Sequence, residues 1–203
     1  MFWKEYGKLI RRLWLNLFGA AVFGFMLSSI STLLAKNHPG MAVLIYVLSG
    51  VIGTVFYAYL LYLVIWEAGA KDRIRVDGGR ISPRPRMGLK VALIFSLPML
   101  IPGALYFVLS VLREYAGVDV GFLNAVSDVS TLIAYILSMP YVGFALALFG
   151  QLGAHIAEAG QTVPYSLYML ATVLPGFIVV SLGYYFGYQG KFMSRMMKPK
   201  KKD

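Results

Sequence analysis

The 203-residue chain is 59% hydrophobic and only 14% charged, with a mean hydropathy of +0.69 and a formal net charge of +10. This composition lies far outside the range of soluble domains and predicts a membrane protein. The chain has no cysteine, which excludes disulfides, thiol nucleophiles and cysteine-ligated metal or iron–sulfur sites.

Five runs of mostly apolar residues are each long enough to cross a hydrocarbon core about 30 Å thick as a helix. They cover residues 13–35, 41–66, 91–112, 129–150 and 165–188. The sequence therefore predicts an all-α, polytopic helical membrane protein with four to five transmembrane segments. We expect one membrane domain over residues 1–203.

The first twelve residues place aromatic and aliphatic side chains between basic ones. Trp3, Tyr6, Leu9 and Ile10 recur at helical spacing, which favours an interfacial arm over residues 1–12, lying in the headgroup layer. The alternative is a cytosolic extension of the first span. The apolar run that follows is too long for a secretory signal peptide, so we expect it to stay attached.

Lysine and arginine are concentrated in the arm, in a loop over residues 67–90 and in a tail over residues 189–203. Because basic residues near span ends are retained in the cytoplasm, we expect a multi-pass protein of the bacterial cytoplasmic membrane with both termini inside. The expected partners are membrane lipids with anionic headgroups, and not nucleic acid. The headgroup contacts are assigned to Arg73, Arg75, Arg80, Arg84, Arg86, Lys200, Lys201 and Lys202.

This charge pattern conflicts with five plain crossings, because three apolar runs separate the loop from the tail. The run 129–150 is the exception among them, since Pro140 lies in its middle and no lysine or arginine flanks it closely. We expect it to enter and return to the same side, as a re-entrant or interfacial helical pair kinked at Met139-Pro140 and buried against protein. The alternative is an ordinary fifth span with an external tail.

The stretch RIRVDGGRIS, residues 73–82, has two short β-prone runs around Asp77-Gly78-Gly79. This is a hairpin-type turn signal and predicts a two-stranded ribbon inside the basic loop. Such a ribbon is marginally stable on its own.

Small residues recur every four positions along the first two runs, a spacing that lets helix backbones approach closely. We expect the two stripes to face each other in an antiparallel hairpin, and the alternative is homodimerisation through one stripe. A GxxxG pair lies in the last run. The residues assigned to helix packing are Asn16, Ala20, Gly24, Ser28, Thr32, Gly50, Thr54, Ala58, Gly183 and Gly187.

Residues that could carry chemistry are few. His155 and Glu158 are three positions apart, and with Asp119 and Asp128 they form a candidate polar site for a cation or proton. The alternative is that they are polar residues at a membrane surface. No GxSxG, HExxH, P-loop or dinucleotide motif occurs, so we assign no catalytic residue, no cofactor and no metal ligand.

The segment LPGFIVVSLGYYFGYQGK, residues 174–191, has a proline-initiated last helix, a Gly-Tyr-x-x-Gly-Tyr-x-Gly motif and a lysine-rich tail behind it. In these features the chain resembles uncharacterised small integral membrane proteins of Firmicutes-type bacteria. The resemblance covers mainly the last three apolar segments. It implies a cytoplasmic tail and transfers no activity or catalytic residue.

Three classes of function remain. The first is a non-enzymatic structural or accessory component that packs through small-residue faces in a larger membrane assembly or a homo-oligomer. The second is a transporter or channel subunit, since the proline-broken segments are typical of helices that line substrate sites. The third, a membrane-embedded enzyme, has only His155 and Glu158 as candidate residues, and we expect that the protein is not an enzyme.

Overall fold

The structure is a computed structural model that describes residues 2–84, 86–117, 121–150 and 162–190. Every regular element in these ranges is a helix, which confirms the predicted all-α class. The helices are α1 (Phe2–Asn37), α2 (Ala42–Asp77), α3 (Met87–Ala116), α4 (Gly121–Ser138), α5 (Val142–Phe149), α6 (Thr162–Ala171) and α7 (Val173–Gln189), with 3₁₀ turns at Pro39–Met41 and Met139–Tyr141.

Within the described residues, five helical stretches are long and apolar enough to cross a membrane. Many of their large apolar side chains point outward, including Leu15 and Val22 on α1 and Val43 and Val55 on α2, each more than 60% exposed. A soluble protein rarely exposes apolar surface so continuously. The exposed faces are the ones that lipid covers in a polytopic membrane protein.

The N-terminal arm is continuous with the first span, because α1 runs without a break from Phe2 to Asn37. Its apolar side is buried against protein, since Tyr6, Ile10 and Leu13 are each at most 5% exposed. This continuity favours the alternative, an extension of the first span, and the position of the arm in the headgroup layer stays a prediction.

The predicted ribbon is also wrong, because α2 continues through residues 73–77 and ends at Asp77. The end of α2 is a Schellman-type cap: the Arg80 N–H donates to the Arg75 carbonyl, the Gly79 N–H donates to the Val76 carbonyl, and Gly79 has a φ of 67°. The Gly-Gly pair thus ends a helix and does not form a hairpin turn. Only residues 78–86 connect α2 to α3.

The chain divides into two compact units. Unit 1 contains residues 1–15, 58–95 and 175–203, which include the start of α1, the end of α2, the start of α3 and most of α7. Unit 2 contains residues 16–57 and 96–174, which include all of α4, α5 and α6. The helices α1, α2, α3 and α7 therefore each have one end in unit 1.

Within unit 2, the fourth apolar run is broken at the 3₁₀ turn Met139–Tyr141, the position predicted for the kink. All three turn residues are buried. A Cβ on Gly53 of α2 would meet the Pro140 carbonyl, whereas a Cβ on Gly50 would meet Phe144. As the chain advances from residue 140 to 144, its neighbours on α2 move back toward the start of that helix, so α5 runs antiparallel to α2.

The two helices on either side of the break share neighbours. Tyr135 of α4 packs against the cluster that contains Ala145 of α5 together with Tyr106, Tyr165 and Met169. The apolar run is therefore interrupted at residues 139–141, and both halves contribute to one cluster. We refer to α4 and α5 together as the α4/α5 pair.

The small-residue stripes contact this pair and not simply each other. A Cβ on Gly24 would overlap the Met139 carbonyl, and a Cβ on Gly143 would overlap the Gly50 backbone. Gly24 thus allows α1 to pack against the 139–141 turn, and Gly143 allows α5 to pack against α2. At Gly24 and Gly50, the prediction that the stripes face one another is corrected.

Candidate functional site

Unit 1 contains an aspartate, Asp72, whose side chain is buried. The residues of α2 that face inward are Leu61, Ile65, Gly69 and Asp72, which follow one another at intervals of three or four and therefore lie on one helix face. Asp72 is only 4% exposed. A buried carboxylate is costly unless hydrogen bonds and charges compensate it.

Three side chains compensate Asp72. The hydroxyl of Tyr6 donates to Asp72 Oδ2 at 2.6 Å, and the hydroxyl of Tyr184 donates to the same oxygen at 2.8 Å. Arg75 Nη1 lies 3.4 Å from Oδ1. Because Tyr6 is on α1 and Tyr184 is on α7, a single carboxylate joins α1, α2 and α7 within unit 1.

Glycines bring α2 and α7 close enough for this contact. A Cβ on Gly69 would overlap the Tyr184 carbonyl, and a Cβ on Gly187 would overlap the Trp66 carbonyl. A Cβ on Gly183 would overlap the Ile65 side chain. The predicted role of Gly183 and Gly187 in helix packing therefore has direct contacts within the chain.

The last turn of α7 is held from α2. Arg73 Nη1 donates to the Gln189 carbonyl at 2.7 Å. The last carbonyls of a helix lack partners inside the helix and carry partial negative charge, so a guanidinium is favourable there. This contact places the end of α7 beside the end of α2.

A groove of about 150 Å³ opens between α1 and α2 in unit 1. We call it the α1/α2 groove. It is lined by Tyr6, Lys8, Leu9 and Arg12 from α1 and by Val64, Glu67, Ala68, Lys71, Asp72 and Arg75 from α2. The α2 residues again recur at intervals of three and four, so one face of α2 forms one wall of the groove.

Ion pairs cross and flank the groove. Glu67 lies 2.6 Å from Lys71 Nζ and 3.6 Å from Arg12 Nη1. All three side chains are more than 40% exposed, so each pair contributes at most about 1 kcal/mol to stability. These pairs set the local charge of the groove more than they stabilise the fold.

Of the predicted polar site, only Asp128 lies in the part of the chain that the structure describes. Asp128 is exposed on α4, and His155, Glu158 and Asp119 lie outside the described residues. Among the described residues, no group of three or more histidine, cysteine, aspartate or glutamate side chains could hold a metal ion.

The predicted headgroup residues divide into three sets. Arg80 and Arg86 are exposed in the connection between α2 and α3, whereas Arg84 is half-buried. Arg73 and Arg75 pair with Asp77 and Asp72. Lys200, Lys201 and Lys202 lie outside the described ranges.

The other packing residues are buried or half-buried. Ala20 and Ser28 are buried, and Asn16, Thr32, Thr54 and Ala58 are intermediate. Sequence reasoning missed Asp72, because it placed residues 67–77 in a loop. The available signal was an acidic residue seven positions after Ile65, on the apolar face of a helix that continues beyond the span.

Unit 2 contains a second group of interest, three tyrosine hydroxyls around the broken segment. Tyr57, Tyr141 and Tyr165 are each at most 3% exposed, and their hydroxyls have no hydrogen-bond partner among the described residues. Tyr168 donates to the Tyr141 carbonyl at 2.6 Å, which satisfies one backbone group at the break. The polar atoms buried here are uncharged hydroxyls and carbonyls.

The fold defines an all-α polytopic membrane protein, with one unit built around a buried carboxylate and another built around a broken helical pair. No family model, curated protein or solved structure matches the chain. The function is therefore inferred from the residues and their geometry.

Proposed function

We propose that this protein is a non-enzymatic, multi-pass component of the bacterial cytoplasmic membrane whose basic unit 1 contacts anionic lipid headgroups. It acts as an accessory component of a larger membrane assembly or of a homo-oligomer. The observation that carries the proposal is the collection of basic residues in unit 1. The arm, the connection between α2 and α3, and the end of α7 belong to this one unit, and Asp72 joins three of its helices.

The same observation supports two cytoplasmic termini. Arg73 binds the Gln189 carbonyl, so α7 ends beside the basic end of α2. The basic arm at the start of α1 belongs to the same unit. If positively charged segments stay inside, all three lie in the cytoplasm.

A re-entrant α4/α5 pair completes this topology. The helices α1, α2, α3 and α7 then cross the membrane, with α6 continuing into α7, and the α4/α5 pair returns to the side that it entered. Burial of the 139–141 turn against α1 and α2 supports this proposal, because irregular backbone at membrane depth needs protein around it.

The headgroup proposal is tested by the lipid that accompanies the protein. Membranes are dissolved with a polymer that cuts out native lipid discs, and the phosphatidylglycerol fraction of the discs is compared with that of the bulk membrane. We expect enrichment around the wild type, and less enrichment when Arg80, Arg86 and Lys90 are replaced by glutamine. A disc composition equal to the bulk for the wild type would contradict the proposal.

One observation favours a second candidate, a transporter or channel subunit. The broken segment has three buried hydroxyls without partners, and interrupted helices line substrate sites in transporters. The hydroxyls are uncharged, so a neutral polar solute suits them better than an ion. Solute flux into liposomes that contain only this protein would support this candidate, and its absence would remove a pore formed by this chain alone.

A further inference from the structure

We infer that the α1/α2 groove binds the phosphate group of one anionic phospholipid. This inference rests on the proposed headgroup contact and deepens it, because it adds one defined binding site to the diffuse basic surface. The site is formed by Lys8, Leu9 and Arg12 on α1 and by Val64, Ala68 and Lys71 on α2.

The groove has an apolar part and a basic part. Leu9, Val64 and Ala68 provide apolar lining, and Lys8, Arg12 and Lys71 provide cationic groups. On α2, Val64 and Ala68 precede Lys71 and Arg75, with Glu67 beside Ala68, so the apolar groups lie toward one end of this wall and the basic groups toward the other. A phospholipid has the same order along its length, from acyl chain through glycerol to phosphate.

The charges lining the groove do not cancel. Four basic and two acidic residues contribute to its walls. Glu67 is paired with Lys71 at 2.6 Å, and Asp72 is paired with Arg75 and two tyrosines. Lys8 has no hydrogen bond or ion pair with any side chain that the structure describes. Lys8 and Arg12 therefore carry the surplus positive charge. Arg12 lies 3.6 Å from Glu67, but Glu67 is already paired with Lys71 at a shorter distance.

These two side chains match a phosphate group. The arginine fork donates two parallel hydrogen bonds to phosphate oxygens, and the lysine ammonium binds phosphate as a point charge. The volume of about 150 Å³ is half the lower limit for drug-sized ligands, about 300 Å³, so the groove suits a headgroup phosphate and not a larger solute. The apolar lining favours a lipid over a soluble phosphate ester.

Native mass spectrometry of the purified full chain in detergent tests the inference. Short-chain phosphatidylglycerol is titrated, and the affinity for the first bound lipid is compared between the wild type and K8Q/R12Q. The matched control is R80Q/R86Q, which removes two positive charges from unit 1 at exposed positions outside the groove. A charge-conserving variant, K8R/R12K, shows whether the groove residues can change without unfolding the protein.

We expect K8Q/R12Q to weaken the first binding event by about tenfold or more, since each basic residue contributes about fivefold. R80Q/R86Q and K8R/R12K should stay within about twofold of the wild type. If K8Q/R12Q and R80Q/R86Q lose the same amount of affinity for the first lipid, the groove is not a defined lipid site. A diffuse basic surface, and with it the proposed headgroup contact, would still stand. If the wild type does not prefer phosphatidylglycerol to phosphatidylcholine, the proposed contact fails as well.

A competition experiment distinguishes a lipid phosphate from the phosphate of a soluble ester. Glycerol 3-phosphate is added at a tenfold excess over phosphatidylglycerol. We expect the lipid to remain bound, because the soluble ester lacks the part that contacts Leu9, Val64 and Ala68. Displacement of the lipid at this excess would show that the groove is a site for a soluble phosphate ester, and would overturn the assignment to lipid.

Discussion

Replacing Asp72 by alanine tests how unit 1 is held together. The substitution removes the carboxylate to which the hydroxyls of Tyr6 and Tyr184 both donate, and these residues are 5% and 0% exposed. The two hydroxyls also lie within hydrogen-bond reach of each other, so the loss amounts to about one unsatisfied buried donor, which costs about 1–3 kcal/mol. We expect D72A to lower the free energy of unfolding by an amount in this range.

The sharper test is the coupling between Asp72 and Tyr184. In the wild type, Y184F removes a hydrogen bond to a carboxylate and should destabilise by about 1.5–3 kcal/mol. In the D72A background, the Tyr184 hydroxyl has lost the carboxylate and keeps its contact with the Tyr6 hydroxyl, so Y184F should destabilise by about 1 kcal/mol or less, clearly less than in the wild type. Y185F is the matched control, because Tyr185 is the next residue on α7 and is 44% exposed.

Unfolding of these variants is measured in mixed micelles, with tryptophan fluorescence recorded as the mole fraction of dodecyl sulfate increases. Trp14 and Trp66 both belong to unit 1, so the signal reports on the region of interest. If Y184F destabilises D72A as much as it destabilises the wild type, the tyrosine and the aspartate are not coupled. Asp72 would then not be the group that joins the three helices.

Two further predictions concern the broken segment and the groove. Gly143→Ala should destabilise by several kcal/mol in the same assay, because its Cβ would overlap the Gly50 backbone, whereas G19A, with nothing near its Cβ, should be neutral or gain about 1 kcal/mol. Similar effects of the two substitutions would contradict the close approach of α5 to α2. Glu67→Gln should strengthen phosphatidylglycerol binding several-fold, because it releases Lys71 and Arg12 from their shared carboxylate. Weaker binding by E67Q would contradict the charge assignment of the groove.

The helical class and the position of the kink could be predicted from the sequence, because both follow from local properties. Apolar runs of sufficient length specify membrane helices, and Pro140 cannot complete the backbone hydrogen bonds of a helix interior. The partner of each small-residue stripe could not be predicted. Spacing identifies the helix face that allows close approach, but it does not identify the element that occupies that face, as Gly24 and Met139 show.

The Asp72 site could not be predicted from the sequence for a different reason. Charge marked residues 67–90 as a loop, yet α2 continues for ten residues beyond Glu67, and Asp72 is buried on its inner face. Charged residues after an apolar run show where lipid ends and not where the helix ends. The tyrosine partners lie 66 and 112 positions away in the chain, and local patterns carry no information about such pairs.

Labelling from outside the cell tests the proposed topology most directly, in which the α4/α5 pair returns to the side it entered and both termini are cytoplasmic. Because the chain has no cysteine, single cysteines at Gly117, Gly160 and Asp203 can be probed with a membrane-impermeant thiol reagent in intact cells, with lysed cells as the reference. We expect positions 117 and 160 to react from outside and position 203 to react only after lysis. Labelling of 117 and 203 but not 160 would show five plain crossings and an external tail, and would contradict the re-entrant topology.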